Sequence, residues 1–394
     1  MTSHGSTIGA AQPLVERVRE RLASTGGEIT PSVVATAVRA EAGGVVSHTD
    51  LLAALRLLQQ EFTGAGPLEP LLRDAATTDV LVTAPDAVWV DRGDGLERTK
   101  LRFADEASVR RLAQRLALSA GRRLDDASPY VDARLPDSGV RLHAVLAPIA
   151  ADGTCLSLRT LRPSAHDLAA LRRLGTMDDE GWRLLRAVVD ARLAFLIAGG
   201  TASGKTTLLS ALIGCVPPSE RVVCVEDAEE LRPTHPHVVR LVARPPNIEG
   251  AGEVVLRELV RQALRMRPDR LVIGEVRGAE VCDLLAALNT GHEGGAGTVH
   301  ANSIREVPAR LEALAALGGM TRDALHSQLA AAVQVVLQVT RERGGPRRLE
   351  AVGVLCRTAG EVTVQPVWRH RSGWSAERGR LGEMLADRGV RPPW

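Results

Sequence analysis

The segment Gly199-Gly200-Thr201-Ala202-Ser203-Gly204-Lys205-Thr206 constrains this chain more than any other, because it fits G-x-x-x-x-G-K-[ST]. The pattern carries chemistry only between a strand and a helix, and both flanks qualify. Residues 193–198 are an apolar strand, and leucines at helical spacing over 208–212 follow the loop. Glycines in such a loop let backbone N–H groups close around a β-phosphate, and the helix N-terminus adds its dipole. Lys205 is placed to reach the β- and γ-phosphates, and the Thr206 hydroxyl to meet Mg²⁺. The reading assigns residues 199–206 and the adjoining Thr207 to ATP, with Mg²⁺ beside them. A plain Gly-rich turn is the bland alternative, and composition weighs against it. Of 49 basic residues only Lys100 and Lys205 are lysine. A chain that uses arginine almost everywhere keeps lysine where a compact ammonium fits and a planar guanidinium does not.

Two further apolar strands end in acids. Glu226 and Asp227 close Val222-Val223-Cys224-Val225, and their carboxylates are expected to point out at the carboxyl edge of the sheet. There they would hold Mg²⁺ or polarise water. Leu271-Val272-Ile273-Gly274 leads to Glu275, placed to orient or deprotonate an attacking water. A strand of this kind usually ends in a metal-holding Asp, and Gly274 stands there instead, so metal contact falls to Thr206, water, Glu226 and Asp227. His292 and His300 flank a glycine-rich segment at a spacing that matches no metal site, and His300 is read as a γ-phosphate sensor. Arg257, Arg261 and Arg265 recur every fourth residue, a stripe facing a phosphate, a neighbouring subunit or solvent.

The 394 residues are too many for one ordinary domain. Apolar spacing predicts a helical lead-in over 1–62, an α/β domain over 63–162, a hinge-like linker over 163–177, a second domain over 178–370 and a loosely ordered tail over 371–394. In the second domain strands alternate with helices, which predicts a mostly parallel sheet covered on both faces. No apolar run is long enough to span a membrane, and the N-terminus lacks the layout of a secretory leader, so a cytoplasmic location is expected. The five cysteines are far apart and read as buried apolar residues rather than a metal or redox motif. A net charge of +2 and only five Trp, three Phe and one Tyr disfavour a nucleic-acid partner.

Taken together, these segments resemble the ATPase superfamily of type II and type IV secretion and pilus systems, and within it the tight-adherence (Tad/Flp) pilus assembly branch. The resemblance covers about residues 60–370 and rests on motifs in order. They are the phosphate loop, the acidic box Val225-Glu226-Asp227-Ala228-Glu229-Glu230, the run from Ala263 to Gly278 including Glu275 and Arg277, and the histidine box from Asn289 to Asn302. In the first domain Gly66-Pro67-Leu68-Glu69-Pro70, Thr78-Asp79-Val80-Leu81-Val82 and Val131-Asp132-Ala133-Arg134-Leu135-Pro136 also match.

The resemblance implies a RecA-like phosphate-loop domain behind a smaller α/β domain, a hexameric ring, and inner-membrane platform proteins as partners. It also implies a peripheral place on the inner face of the cytoplasmic membrane. Arg134, Arg141 and Arg159 are the first-domain arginines it brings to the phosphates, and Arg277 joins the catalytic set with Glu275, Glu226, Asp227 and His300. Two departures stand out: Ala202 where the family's loop often has Gly, a small change expected to leave phosphate binding intact, and Gly295-Ala296 in the histidine box, expected to alter loop mobility. The four-cysteine zinc element of type II members is missing. The chain therefore reads as an ATP-hydrolysing motor driving pilin assembly or export. The rivals are a RecA-like nucleic-acid motor or conjugation-type DNA-transfer ATPase, a small-molecule kinase, and a non-hydrolysing scaffold.

Overall fold

The computed structural model describes residues 17–18, 21, 31–41, 64–93, 95–136, 138–160, 166–247, 249–341 and 345–394. Most of the helical lead-in, including Leu14, Leu22 and the leucines over 51–58, lies outside the described residues, as does Asp137. Within it a helix spans Pro31–Glu41. The chain divides into two compact units, Met1–Leu161 and Arg162–Trp394.

The first unit holds a six-stranded antiparallel sheet. In chain order its strands are β1 (Asp79–Ala84), β2 (Ala87–Asp91), β3 (Leu96–Arg98), β4 (Tyr130–Arg134), β5 (Arg141–Val145) and β6 (Cys155–Arg159). They are arranged β3-β2-β1-β6-β5-β4. Alternation in β1 buries Val80 and Val82, and β5 does the same with Leu142 and Ala144. Against that face packs the helix Glu106–Ser119, which presents Val109, Leu112, Ala113 and Leu116 and starts where the Asp105 carboxylate accepts from Ser108 N at 2.8 Å.

The second unit is built on a nine-stranded sheet. Its strands are β7 (Phe195–Ala198), β8 (Val222–Glu226), β9 (Val238–Val242), β10 (Arg270–Val276), β11 (Ala296–Val299), β12 (Val335–Arg341), β13 (Arg347–Thr358), β14 (Glu361–Arg369) and β15 (Gly373–Trp374). The order is β15-β14-β13-β12-β7-β11-β10-β8-β9. From β9 to β12 every pairing is parallel, and β13 to β15 add an antiparallel flank. Both faces are covered, as the near-continuous apolar strands require. Phe195 and Ile197 of β7 face one layer, with the helices Asp179–Asp190 and Lys205–Ile213. Leu196 and Ala198 face the other, with Leu256–Ala263, Glu280–Leu288, Val307–Leu317 and Arg322–Ala332.

Several expectations change. The stretch expected as a hinge contains the helix Leu168–Arg173, whose Leu168 and Leu171 are buried in the second unit, while 161–165 lie outside the described residues. The tail is not loosely ordered: Arg378–Ala386 is a helix that buries Leu381 and Leu385, and the Trp374 and Trp394 rings meet at 4.6 Å. Burying those two leucines offsets part of the cost of ordering a segment whose composition alone suggests none. Only Cys224 and Cys356 are buried; Cys155, Cys215 and Cys282 are half-buried, and all are free thiols. No helix among the described residues is long and apolar enough to cross a membrane.

Candidate functional site

The candidate site lies at the carboxyl edge of the second sheet, where open α/β folds place ligands. The loop 199–204 leaves the end of β7 and runs into Lys205–Ile213, so backbone N–H groups and a helix N-terminus face one hollow. Steric need sets its glycines. A Cβ on Gly199 would stand 2.5 Å from both Ser203 Oγ and the Val339 carbonyl, and Gly204 sits at φ +99°. Lys205 is buried, and its Nζ donates to the carbonyls of Gly199 and Gly200 at 3.0 Å each. Burial lowers the pKa of its ammonium, Glu275 and Glu230 act to raise it, and Arg277 lowers it. Three charged side chains therefore act electrostatically on the lysine.

Thr206 Oγ1 donates to Glu230 Oε2 at 3.3 Å. Glu230 ends the acidic box but had no role from the sequence; its four-residue spacing from Glu226 is the signal that was available. Glu275 continues β10 at this edge and is held by the Arg277 guanidinium. Arg277 N and Gly278 N donate to the buried Glu280 carboxylate at 2.6 and 2.8 Å, which fixes the turn that aims Arg277 back. His300 follows β11 directly at the same edge, exposed.

The acid pair at 226–227 departs from expectation. Asp227 is exposed, but Glu226 turns inward and is 2 % exposed. Its Oε1 accepts from the backbone N–H groups of Glu230 at 3.1 Å and Leu231 at 2.8 Å, and its Oε2 is buried with no hydrogen-bond partner among the described residues. Burial pushes its pKa up to about 7, against the lowering effect of those two N–H groups. The inward turn also accounts for Gly274. A Cβ there would stand 2.9 Å from Glu226 Cγ, so the position where an Asp is usual is left empty to admit the neighbouring strand's carboxylate.

The remaining candidates sit on other elements, each described within its own unit. Arg134, Arg141 and Arg159 stand opposite one another on β4, β5 and β6 of the first unit, a row that ends at Asp79 on β1. Arg141 donates to Asp132 at 2.6 Å and Arg159 to Asp79 at 3.0 Å. Arg257 and Arg261 both donate to Asp283 on Glu280–Leu288, at 2.6 and 2.9 Å, while Arg261 and Arg265 are exposed. At Gly295 a side chain is sterically excluded, because a Cβ there would meet Leu288 Cδ2 at 2.4 Å and the Leu271 carbonyl at 2.7 Å. No cluster of three or more His, Cys, Asp or Glu suited to a metal occurs among the described residues.

Known proteins match this architecture. A profile of the type II/IV secretion system protein family matches residues 61–372. A Mycobacterium tuberculosis (strain H37Rv) protein that carries a conjugal-transfer name is 63% identical over 349 residues, 87% of this chain and 99% of its own length. The type IV secretion system protein PtlH of Bordetella pertussis is 34% identical over 319 residues, 74% of this chain and 93% of its own. The crystal structure of the pilus retraction motor PilT with bound ADP superposes with a TM-score of 0.52 at 21% identity, over 74% of this chain and 83% of that one, a likeness of fold. With a profile match over most of its length and the phosphate loop and acids at one sheet edge, the chain belongs to the type II/IV secretion system protein family.

Proposed function

We propose that this chain is an ATP-hydrolysing motor of a type II/IV secretion or pilus machine, acting as a ring of identical subunits on the inner face of a cytoplasmic membrane. One observation carries the reading: the phosphate loop, the Thr206–Glu230 pair and the Glu275–Arg277 pair converge around the single buried lysine. Lys205 rests on two loop carbonyls, and a phosphate oxygen is a stronger partner for its ammonium than either. Glu275 orients the attacking water and takes its proton as the bond to the γ-phosphorus forms and the bond to the ADP oxygen breaks. Arg277 positions Glu275 through their ion pair. Loop N–H groups and Lys205 offset the charge on the phosphoryl oxygens.

The residues present suit Mg²⁺. Thr206 Oγ1 and Glu230 Oε2 lie side by side, and Glu226 Oε2 is a buried oxygen with no hydrogen-bond partner among the described residues. Magnesium ordinarily takes one or two carboxylates together with waters and phosphate oxygens, so a three-acid protein cage is not needed. When bound it supplies charge neutralisation at the β- and γ-oxygens.

For the cargo, the tight-adherence motifs together with near-neutral charge and few aromatics support pilin assembly or protein export through inner-membrane platform proteins. A second reading, a conjugation-type DNA-transfer ATPase, is favoured by the name of the Mycobacterium tuberculosis relative. The Arg134, Arg141 and Arg159 row is proposed as an additional source of positive charge toward the phosphates. The test is ATPase activity against oligomeric mass for the unmodified chain and Glu275→Gln, with and without single-stranded DNA. Activity confined to a ring-sized species, lost in the Gln variant and indifferent to DNA, is expected. A hydrolysing monomer would sink the motor, and strong DNA stimulation would favour the second reading.

A further inference from the structure

Ala202 has φ +57°, a left-handed conformation that is strained for a residue with a Cβ and that glycine adopts freely. A strained peptide in the middle of a phosphate loop persists only where something outside holds it. The holder is on the page. Arg347, the first residue of β13, donates from Nε to the Ala202 carbonyl at 3.2 Å, across 145 positions of chain. Its stem lies over Gly204, where a Cβ would stand 2.9 Å from Arg347 Cδ. The partner strand β12 clamps the other end of the loop, with the Val339 carbonyl against Gly199. Arg347 makes no ion pair among the described residues, so its guanidinium is not committed to a carboxylate there.

In a trans peptide the C=O and the next N–H point to opposite sides. Pinning the Ala202 carbonyl from outside the loop therefore keeps the Ser203 N–H on the loop's inner side, where it donates to the Gly200 carbonyl at 3.4 Å and where a phosphate oxygen would replace that weak acceptor. We infer that Arg347 is a positioning residue that holds the strained Ala202–Ser203 peptide in its phosphate-binding orientation, doing from the β12–β13 hairpin what a glycine at position 202 would do by its own conformational freedom. The inference deepens the ATPase reading and rests on it.

The test is a double-mutant cycle on the affinity for ADP, measured by titration calorimetry on the full chain, with ATPase KM and kcat beside it. Arg347→Ala should weaken ADP binding roughly fivefold to tenfold, about one hydrogen bond's worth, and raise KM with kcat changed by less than about twofold. Arg347→Lys, which keeps a donor, should recover part of the loss. In the Ala202→Gly background, where the loop no longer needs holding, Arg347→Ala should cost no more than about twofold. An equal loss in both backgrounds would overturn the inference by making Arg347 a direct ligand, and so would no loss in either. Lys205→Ala separates this from the underlying reading. If it abolishes ADP binding while Arg347→Ala changes nothing, only the positioning role fails. If the unmodified chain binds no ADP, both fail.

Discussion

Glu226→Gln tests the buried carboxyl at the heart of the site. The folded chain holds this group's pKa near 7 against an ordinary 4.5, chiefly by burial. That gap corresponds to about 3 kcal/mol of disfavour for the carboxylate in the fold. Below pH 4.5 the group is protonated whether the chain is folded or not, and nothing is lost. As pH rises from there toward 7, the unfolded chain releases a proton that the folded chain keeps, so stability falls; above 7 the whole amount is gone. A glutamine is neutral throughout. Its carbonyl can still accept from the Glu230 and Leu231 N–H groups, and its NH₂ replaces an oxygen that has no partner in either case. The variant should thus match the unmodified protein near pH 5 and exceed it near pH 8. For a unit of this size that is a rise in Tm of up to about 6 °C. The assay is thermal unfolding of both proteins without nucleotide across pH 5 to 8, followed by near-UV circular dichroism. A Tm difference that stays constant across that range would refute the reasoning, because it would mean that Glu226 does not exchange its proton there.

Two structural substitutions follow from the same packing. Gly274→Ala places a Cβ 2.9 Å from Glu226 Cγ and should destabilise by about 1–3 kcal/mol, with Glu226→Ala in the same chain restoring part of the loss; urea unfolding reads both. Arg270→Met removes a guanidinium that is 2 % exposed and bonded to Glu220 at 2.7 Å, leaving that acid its ion pair with Arg192 among the described residues. A loss of about 3 kcal/mol is expected in the same assay, and a neutral outcome would show that Arg192 alone satisfies Glu220.

Much of this was legible in the chain. The strand-loop-helix frame of the phosphate loop follows from local apolar spacing and from the left-handed φ at Gly204, both properties of short segments. The parallel sheet follows from strands that are apolar on both faces and alternate with helices, since such strands must be covered twice. Glu275, ending an apolar strand, also falls at the sheet edge as its position suggests.

What the sequence did not disclose depends on distant segments meeting. Nothing local says that Glu226 turns inward while Asp227 stays out; that is settled by the space Gly274 leaves on the neighbouring strand. Arg257 and Arg261 form a stripe in sequence, but Asp283 on another helix takes both. The tail reads as disordered until Leu381 and Leu385 find a core to enter. Arg347 reaches Ala202 only because β12 and β13 fold back beside β7. Local sequence determines which backbone conformations and which faces are affordable, whereas desolvation, ion pairing and steric exclusion act between groups that only the tertiary fold brings within a few ångströms.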